Sequence, residues 1–516
     1  MSLINYLTRN SGRLYSVLET SPARAFWLFV LAQLFLWTLI PALVFKNLPL
    51  DVIELVSWGH EWQLGYSKHP PMPAWFLEAF AVLSGRADWT TFFVSELSIV
   101  IAYWAIWRLG RETVGDMGAL LAVLLTSLIY YYNLPTIEFN HNILAITFWA
   151  LLGLFGWLAL RDDRLRDWLL LGLFAGLSIY VKYSQAIMVL TLISFLIVFR
   201  DAWPRFKSVG LWLGVGVALL VALPHLYWMY STEFQSLFYA SGRTKPLVGI
   251  GAYIVGPLKF LFAQLAVHGG LLLVLVLGGA ILPMDKRSGV EPIQYSCDDQ
   301  LARHYILWIA LVPVLFLTFL SFVLGMEFRS MWGAPMFSFS ALALMVLLKP
   351  FLFKERFGFM AASWVVLHAS LLVALVIMGT AGAQLSQKIS RTDYPGRDVG
   401  QYFSQLWREK TGTPLKYVDG DEWIGGNISY YARERPSQVS KNDLQARPWV
   451  NWQNVTCKGT LIVWPMSGDK PVSMPAGYEA VSANRDLIGY KVFASKLVSA
   501  PVRVGWAIIP PTTECR

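Results

Sequence analysis

Long apolar stretches alternate with short polar segments along most of the chain, and the pattern changes near residue 384. The clearest stretches, 25–45, 142–160, 209–229, 304–324 and 357–379, approach the roughly 20 residues an α-helix needs to cross a bilayer. With 92–108, 117–133, 168–181, 184–200, 260–282 and 332–348 they predict about eleven membrane-spanning helices. A soluble core would not need so many. Two polar intervals, 46–91 and 230–259, are unusually long and mix aromatic, charged and proline residues, as segments lying along a membrane interface do. Past 384, the runs "LKYVDG", "GTLIVWPM" and "LIGYKVFAS" stand between turn sequences such as "DGDEW", "MSGDK" and "SANRD", which predicts strands. The expected architecture is an α-helical polytopic membrane bundle over 1–383 and a small soluble α/β domain over 384–516. The sequence shows no internal repeat and no low-complexity tract.

Composition supports that division. The chain is 56% hydrophobic and 15% charged, against about 25% charged in soluble domains. Its net charge of +9 would suggest nucleic acid in a soluble protein, but here the cations have a simpler distribution. They gather in alternate short loops, at Arg9/Arg13/Arg24, Arg108/Arg111, Arg161/Arg164/Arg166, Arg200/Arg205/Lys207, Lys286/Arg287/Arg303 and Lys349/Lys354/Arg356. The positive-inside rule then puts the N-terminus in the cytoplasm, and an odd number of spans puts the tail outside. The basic opening stretch lacks a small-residue cleavage site, so the first span reads as retained. Cys297 falls in a cytoplasmic loop, whereas Cys457 and Cys515 fall in the outer domain, where a bridge is permitted. The sequons at Asn427 and Asn454 read as ordinary loop sequence.

The interval 46–91 holds the chemistry, "NLPLDVIELVSWGHEWQLGYSKHPPMPAW". Asp51 and Glu54 are three apart and share one side of a helix. A carboxylate at the water–lipid boundary is partly desolvated, which raises its proton affinity and suits general-base work; both could equally solvate a span end. Pro70, Pro71 and Pro73 should end an interfacial helix through Trp58 and Trp62 and aim Lys68 and His69 in a fixed direction. A lysine at headgroup depth suits a phosphate. Lys182, in an apolar hairpin, is costly there and therefore functional or paired. Arg329 could pair with Glu327 or anchor at the interface beside Trp332. His225 and Trp228 read as aromatic-belt residues. The seven histidines include no helical metal pair, and no Walker loop or dinucleotide fingerprint is present, so nucleotide-sugar use has no support.

An acidic residue opening the first outer loop, a tryptophan-rich helix, then "GY", two residues and "HPP" resembles the membrane glycosyltransferases of the GT-C class. The nearest branch holds the bacterial protein O-mannosyltransferases and the aminoarabinose transferases acting on lipid A. "LLGLFAGLSIYVKYSQA", "LPHLYWMYSTEFQS" and "FRSMWGAPMF" also resemble that family. The resemblance implies a bacterial inner-membrane enzyme with a periplasmic tail. It would transfer a sugar with inversion from a polyprenyl-phosphate donor to an envelope acceptor such as lipid A, lipopolysaccharide core or another glycolipid. A protein hydroxyl is the alternative acceptor.

Asp51 occupies the position of the family's catalytic base. The family's usual second acid is replaced by Val52, so Glu54 is the nearest carboxylate. Lys68, Arg329, Lys182 and Arg243 are the cations assigned to the donor phosphate. Tyr66, His69 and Tyr183 are assigned to substrate. Where many members carry an aspartate at the start of the fourth span, this chain has Asn142, with Glu138, Asn140 and His141 nearby. These four are assigned to sugar binding, with helix capping by Asn140 as the alternative. No cofactor is required, although a divalent ion beside the first-loop acid is compatible with the resemblance. A secondary transporter or flippase is the rival class; it would show inverted repeats and broken spans in matching halves.

Overall fold

The computed structural model describes residues 3–277, 297–347, 354–440, 447–466, 485–495 and 501–512. They form two compact units, 1–38 with 95–373 and 39–94 with 374–516. This differs from a boundary at 383. Composition marks where polarity changes, but the first long polar interval buries its apolar faces together with the C-terminal domain.

Among the described residues, six helices are long and apolar enough to cross a membrane: Pro22–Val44, Trp89–Thr113, His141–Asp162, Val209–Ser231, Gln300–Leu324 and Phe357–Thr380. Four further candidates are helix pairs bent by 50–103° at a short break. Two of these bends involve segments holding Pro204 and Pro335, which cannot continue an i→i−4 ladder. The predicted span 168–181 is a 14-residue helix, Leu165–Ser178, about 21 Å long at 1.5 Å per residue. Every apolar stretch read from the sequence thus has a helical counterpart among the described residues. Residues 278–282 and 348, and the loop cations Lys286, Arg287 and Lys349, lie outside them.

In the first unit, Leu165–Ser178 packs against Val209–Ser231 through Gly172, Gly176, Gly210 and Gly214. A Cβ on Gly172 would run into the Gly214 carbonyl. Small residues at four-residue spacing let two backbones approach this closely, the usual solution where lipid leaves no hydrophobic drive between helices. Pro224 interrupts the Val209–Ser231 helix, and the Tyr180 hydroxyl repairs the gap. It accepts from the His225 amide at 3.2 Å and donates to the Val221 carbonyl at 2.9 Å. The interval 230–259 is largely ordered, not an irregular loop. It holds the helix Gln235–Gly242, the two-residue strand β1 (Lys245–Pro246) paired antiparallel with β2 (Met326–Glu327), and the start of helix Ile250–Ala266.

The second unit joins the helices Leu50–Gly59 and Met72–Leu83 to a five-stranded sheet. Its strands are β3 (Tyr417–Asp419), β4 (Ser437–Val439), β5 (Thr460–Pro465), β6 (Ile488–Phe493) and β7 (Val502–Ile509), in the order β4-β3-β5-β7-β6. β3 is parallel to β4 and β5, and β7 is antiparallel to β5 and β6, with Val463 opposite Trp506. Phe403 and Trp407 of helix Gly396–Thr411 and Ile428 of helix Ile424–Tyr431 pack on Leu461, Val463, Val504 and Ile508 to form the core. Ile53 lies against Gly426 of the same unit, whose missing Cβ leaves it room.

The prolines act differently from the sequence expectation. The first helix stops at Gly59, capped by His60, and Trp62 already has φ 47°. Pro71 and Pro73 instead begin the next helix, where a missing N–H costs nothing.

Candidate active site

In the second unit, Asp51 lies in the first turn of Leu50–Gly59, half-buried, with Glu54 one turn on. A tight turn in which Tyr66 and His69 exchange backbone hydrogen bonds at 3.0 and 3.3 Å holds Lys68 over that helix. The Lys68 ammonium lies 2.5 Å from Glu54 Oε1 and 3.0 Å from Glu422 Oε1. Glu422 in turn accepts from Arg447 at 2.9 Å. Arg447 also donates to Gln438 at 3.3 Å. The indole of Trp58 supports both cations from about 6 Å, with Lys68 at 5.9 Å and Arg447 at 6.0 Å.

The carboxylates differ in proton affinity. Burial and then the charge of Glu422 push Glu54 up to about 7, against the opposing pull of Lys68. Glu422 is also disfavoured by burial, but Arg447 and Lys68 hold it below its ordinary value. Burial pulls the Lys68 ammonium down, and the two glutamates more than reverse this. Glu54 therefore changes charge near neutrality beside a cation that stays charged, an arrangement suited to moving a proton. Between Glu54 and Glu422 the geometry fits the ammonium of Lys68, not a divalent ion. Among the described residues no group of three or more His, Cys, Asp or Glu could hold a metal.

Tyr66 departs from its expected substrate role. It is fully buried, stacked on Trp58 at 5.0 Å, and donates its hydroxyl to the Trp58 carbonyl at 2.9 Å. It shapes the cluster from beneath. Asn427 is fully buried, as its loop reading as a sequon did not foresee. Cys457 lies in the helix Trp452–Lys458; Cys515 lies outside the described residues. Cys297 is buried, and its thiol donates to the Asp299 carbonyl at 3.8 Å.

In the first unit the structure brings together a second set. Lys182 donates to the side-chain oxygen of Asn142, and the Tyr183 hydroxyl meets Ser236 Oγ at 2.5 Å and His225 Nε2 at 3.3 Å. His225 is fully buried and stacked on Trp228, so it belongs to this network and not to an aromatic belt. Asn140 caps the His141–Asp162 helix, accepting from the amides of Asn142 and Ile143, which occupies its side-chain oxygen. His141 is buried, and Glu138 is half-buried. The exposed Arg329 donates to the Arg243 carbonyl at 3.3 Å. Glu327 pairs with Lys259 at 2.6 Å and not with Arg329.

Sequence reasoning missed Glu422, Arg447 and Ser236. Glu422 sits inside "DGDEW", read only as a turn. The signal was available in Asp421, whose side chain caps the helix from Ile424 by accepting from Trp423 and Ile424 amides at 3.1 and 2.6 Å; a cap fixes its neighbour in place.

The helical bundle with a small terminal sheet domain has a GT-C fold. Residues 68–228 match the family model described as dolichyl-phosphate-mannose-protein mannosyltransferase. The fold is similar to that of ArnT from Cupriavidus metallidurans, solved bound to undecaprenyl phosphate (TM-score 0.57) and in the apo state (TM-score 0.58). Each comparison covers 93% of this chain and 97% of that one at 13% identity. The chain is also 25% identical over 205 residues to the lipopolysaccharide core galacturonosyltransferase RgtB of Rhizobium johnstonii. That match spans 38% of this chain and 40% of the relative.

Proposed function

We propose that this protein transfers a sugar, with inversion, from a polyprenyl-phosphate carrier to a hydroxyl of an envelope glycolipid on the periplasmic face of a bacterial inner membrane. The observation that carries this reading is the carboxylate pair Asp51 and Glu54 beside Lys68, itself shared with Glu422. Asp51 takes up the acceptor hydroxyl. Asp51 accepts the proton from that oxygen as it attacks the anomeric carbon and passes it on to Glu54, while the bond from that carbon to the carrier phosphate oxygen breaks. The carrier departs as a monophosphate with one more negative charge.

Glu54 connects the two events. While ionised it shares Lys68 with Glu422; once it holds the proton, Lys68 keeps one carboxylate partner, and its charge becomes available to the leaving phosphate. In the first unit, considered by itself, Lys182, Arg243 and Arg329 are cations of a kind suited to a phosphate. ArnT, whose fold this chain shares, was solved with undecaprenyl phosphate, which supports a polyprenyl carrier. RgtB, a lipopolysaccharide core transferase by name, supports a glycolipid acceptor.

The family model's description favours a second reading, a protein hydroxyl as acceptor. Bent helix pairs also occur in transporters, but here they belong to a chain of which 93% matches ArnT in fold. The test supplies the purified protein with a polyprenyl-phosphate sugar and either a glycolipid or a protein acceptor. Glycosylated lipid and free polyprenyl phosphate in equal amounts support the proposal, and product on protein alone contradicts the acceptor.

A further inference from the structure

A cavity in the second unit uses none of the candidate active-site residues. It encloses about 430 Å³ and is lined by Arg86, Arg397, Arg408 and Arg433 together with Ser404 and Tyr431. One helix supplies much of it. On Gly396–Thr411, residues 397, 401, 404, 405 and 408 share a face, opposite the buried Val399, Phe403 and Trp407.

The charges do not balance. Arg397 pairs with Asp88 at 3.0 Å, which also accepts from the Tyr431 hydroxyl at 3.2 Å. Arg408 pairs with Glu434, which also accepts from Ser404. No carboxylate among the described residues pairs with Arg86 or Arg433. Arg86 donates to the backbone carbonyls of Tyr430 and Ala432 at 3.4 and 3.3 Å, which fixes its guanidinium at the cavity wall while leaving its charge uncompensated. Its backbone has φ 65°, a left-handed conformation that is unfavourable for a non-glycine residue and persists only where the surroundings impose it. Two carboxylates thus orient two arginines, and two more arginines bring unmatched charge to a concave wall.

We propose that this cavity binds the phosphate of a phosphorylated glycolipid headgroup, holding the acceptor lipid by a group other than the hydroxyl that reacts. A phosphate presents several charged oxygens to planar guanidinium forks, and the volume admits a phosphorylated sugar. The word acceptor rests on the proposed transfer reaction; phosphate binding by the cavity does not.

The test uses the full chain in neutral-lipid nanodiscs, titrated with lipid A, with dephosphorylated lipid A and with inorganic phosphate. The wild type is expected to bind phosphorylated lipid A more tightly than the dephosphorylated form. Arg86→Gln and Arg433→Gln should each weaken that binding roughly tenfold and leave the dephosphorylated form unaffected. Arg433 is exposed, so its variant decides the matter even if Arg86→Gln fails to fold. Equal binding of both lipids, or variants that bind as the wild type does, overturns the proposal. Inorganic phosphate binding as tightly as lipid A overturns the assignment to a lipid headgroup. Asp51→Asn should lose transfer while still binding phosphorylated lipid A more tightly than the dephosphorylated form, so either reading can fail without the other.

Discussion

Lys68 and Glu422, from opposite ends of the chain, form an ion pair of 3.0 Å, and the same ammonium holds Glu54 at 2.5 Å. The C-terminal domain therefore contributes Glu422 and Arg447 to a cluster whose other charges come from the first long polar interval. Changes at Glu422 should be read out at Glu54.

The pH dependence of transfer should show this. Glu54 acts ionised, so kcat/KM should fall as pH drops through about 7. Glu422→Gln removes the negative charge that raises Glu54 and should move that acidic limb to lower pH. Lys68→Gln removes the charge that lowers it and should move the limb higher, with a large loss of rate. Shifts of the same sign in both variants would contradict the coupling.

The same group sets a stability trend of the opposite sense. A carboxyl whose folded pKa is raised favours the folded state fully below its unfolded value near 4.5, and that contribution fades as pH rises through about 7. Glu54→Gln should therefore gain in relative stability over the wild type between pH 5 and pH 8. Thermal unfolding of both proteins across that range measures it.

Arg435 and Glu78 form a buried pair at 2.9 Å, with Arg435 also donating to the Val56 carbonyl at 2.9 Å. Arg435→Met strands the Glu78 carboxylate, and breaking a buried pair from one side costs about 3–5 kcal/mol. A markedly lowered unfolding midpoint is expected, with loss of transfer following loss of fold. An unchanged midpoint would show that this pair does not hold the helix Leu50–Gly59 in place.

How much of this could be read from the chain depended on the range of the interaction. Apolar stretches report directly on helices, since lipid demands them over about 20 residues, and the strands at 417–419, 460–465 and 488–493 fell within runs of the expected pattern. Asp51, Glu54 and Lys68 were legible as a group because they lie within one short interval. Glu422 and Arg447 were not, because local pattern carries no information about pairing between distant segments. The proline run was misjudged for a local reason. Proline both ends and begins helices, and only the cap at His60 shows that the first helix had already stopped.

Gly396 offers a test of packing within the second unit. A Cβ there would collide with the side-chain oxygens of Asn427 and Asn47. Gly396→Ala should destabilise by about 1–3 kcal/mol, as overpacking does, seen as a lower midpoint in denaturant. Gly412→Asn, at an open left-handed helix end with φ 70°, should change it far less.

In the first unit, Lys182→Met should weaken use of the lipid-linked donor, raising its KM more than it lowers kcat, because the ammonium is assigned to ground-state and leaving phosphate alike. Asn142→Ala, which removes the side-chain oxygen that accepts from Lys182, should have the smaller effect. A kcat loss with unchanged KM in Lys182→Met would remove it from donor binding.

The most direct measurement is sugar transfer by purified wild type and Asp51→Asn, supplied with a polyprenyl-phosphate sugar and a glycolipid acceptor. The wild type should release one polyprenyl phosphate per sugar transferred. The variant should keep its fold and donor binding but lose about 10²–10⁴-fold in rate, the worth of a general base. Transfer surviving in a folded Asp51→Asn protein would contradict the assignment.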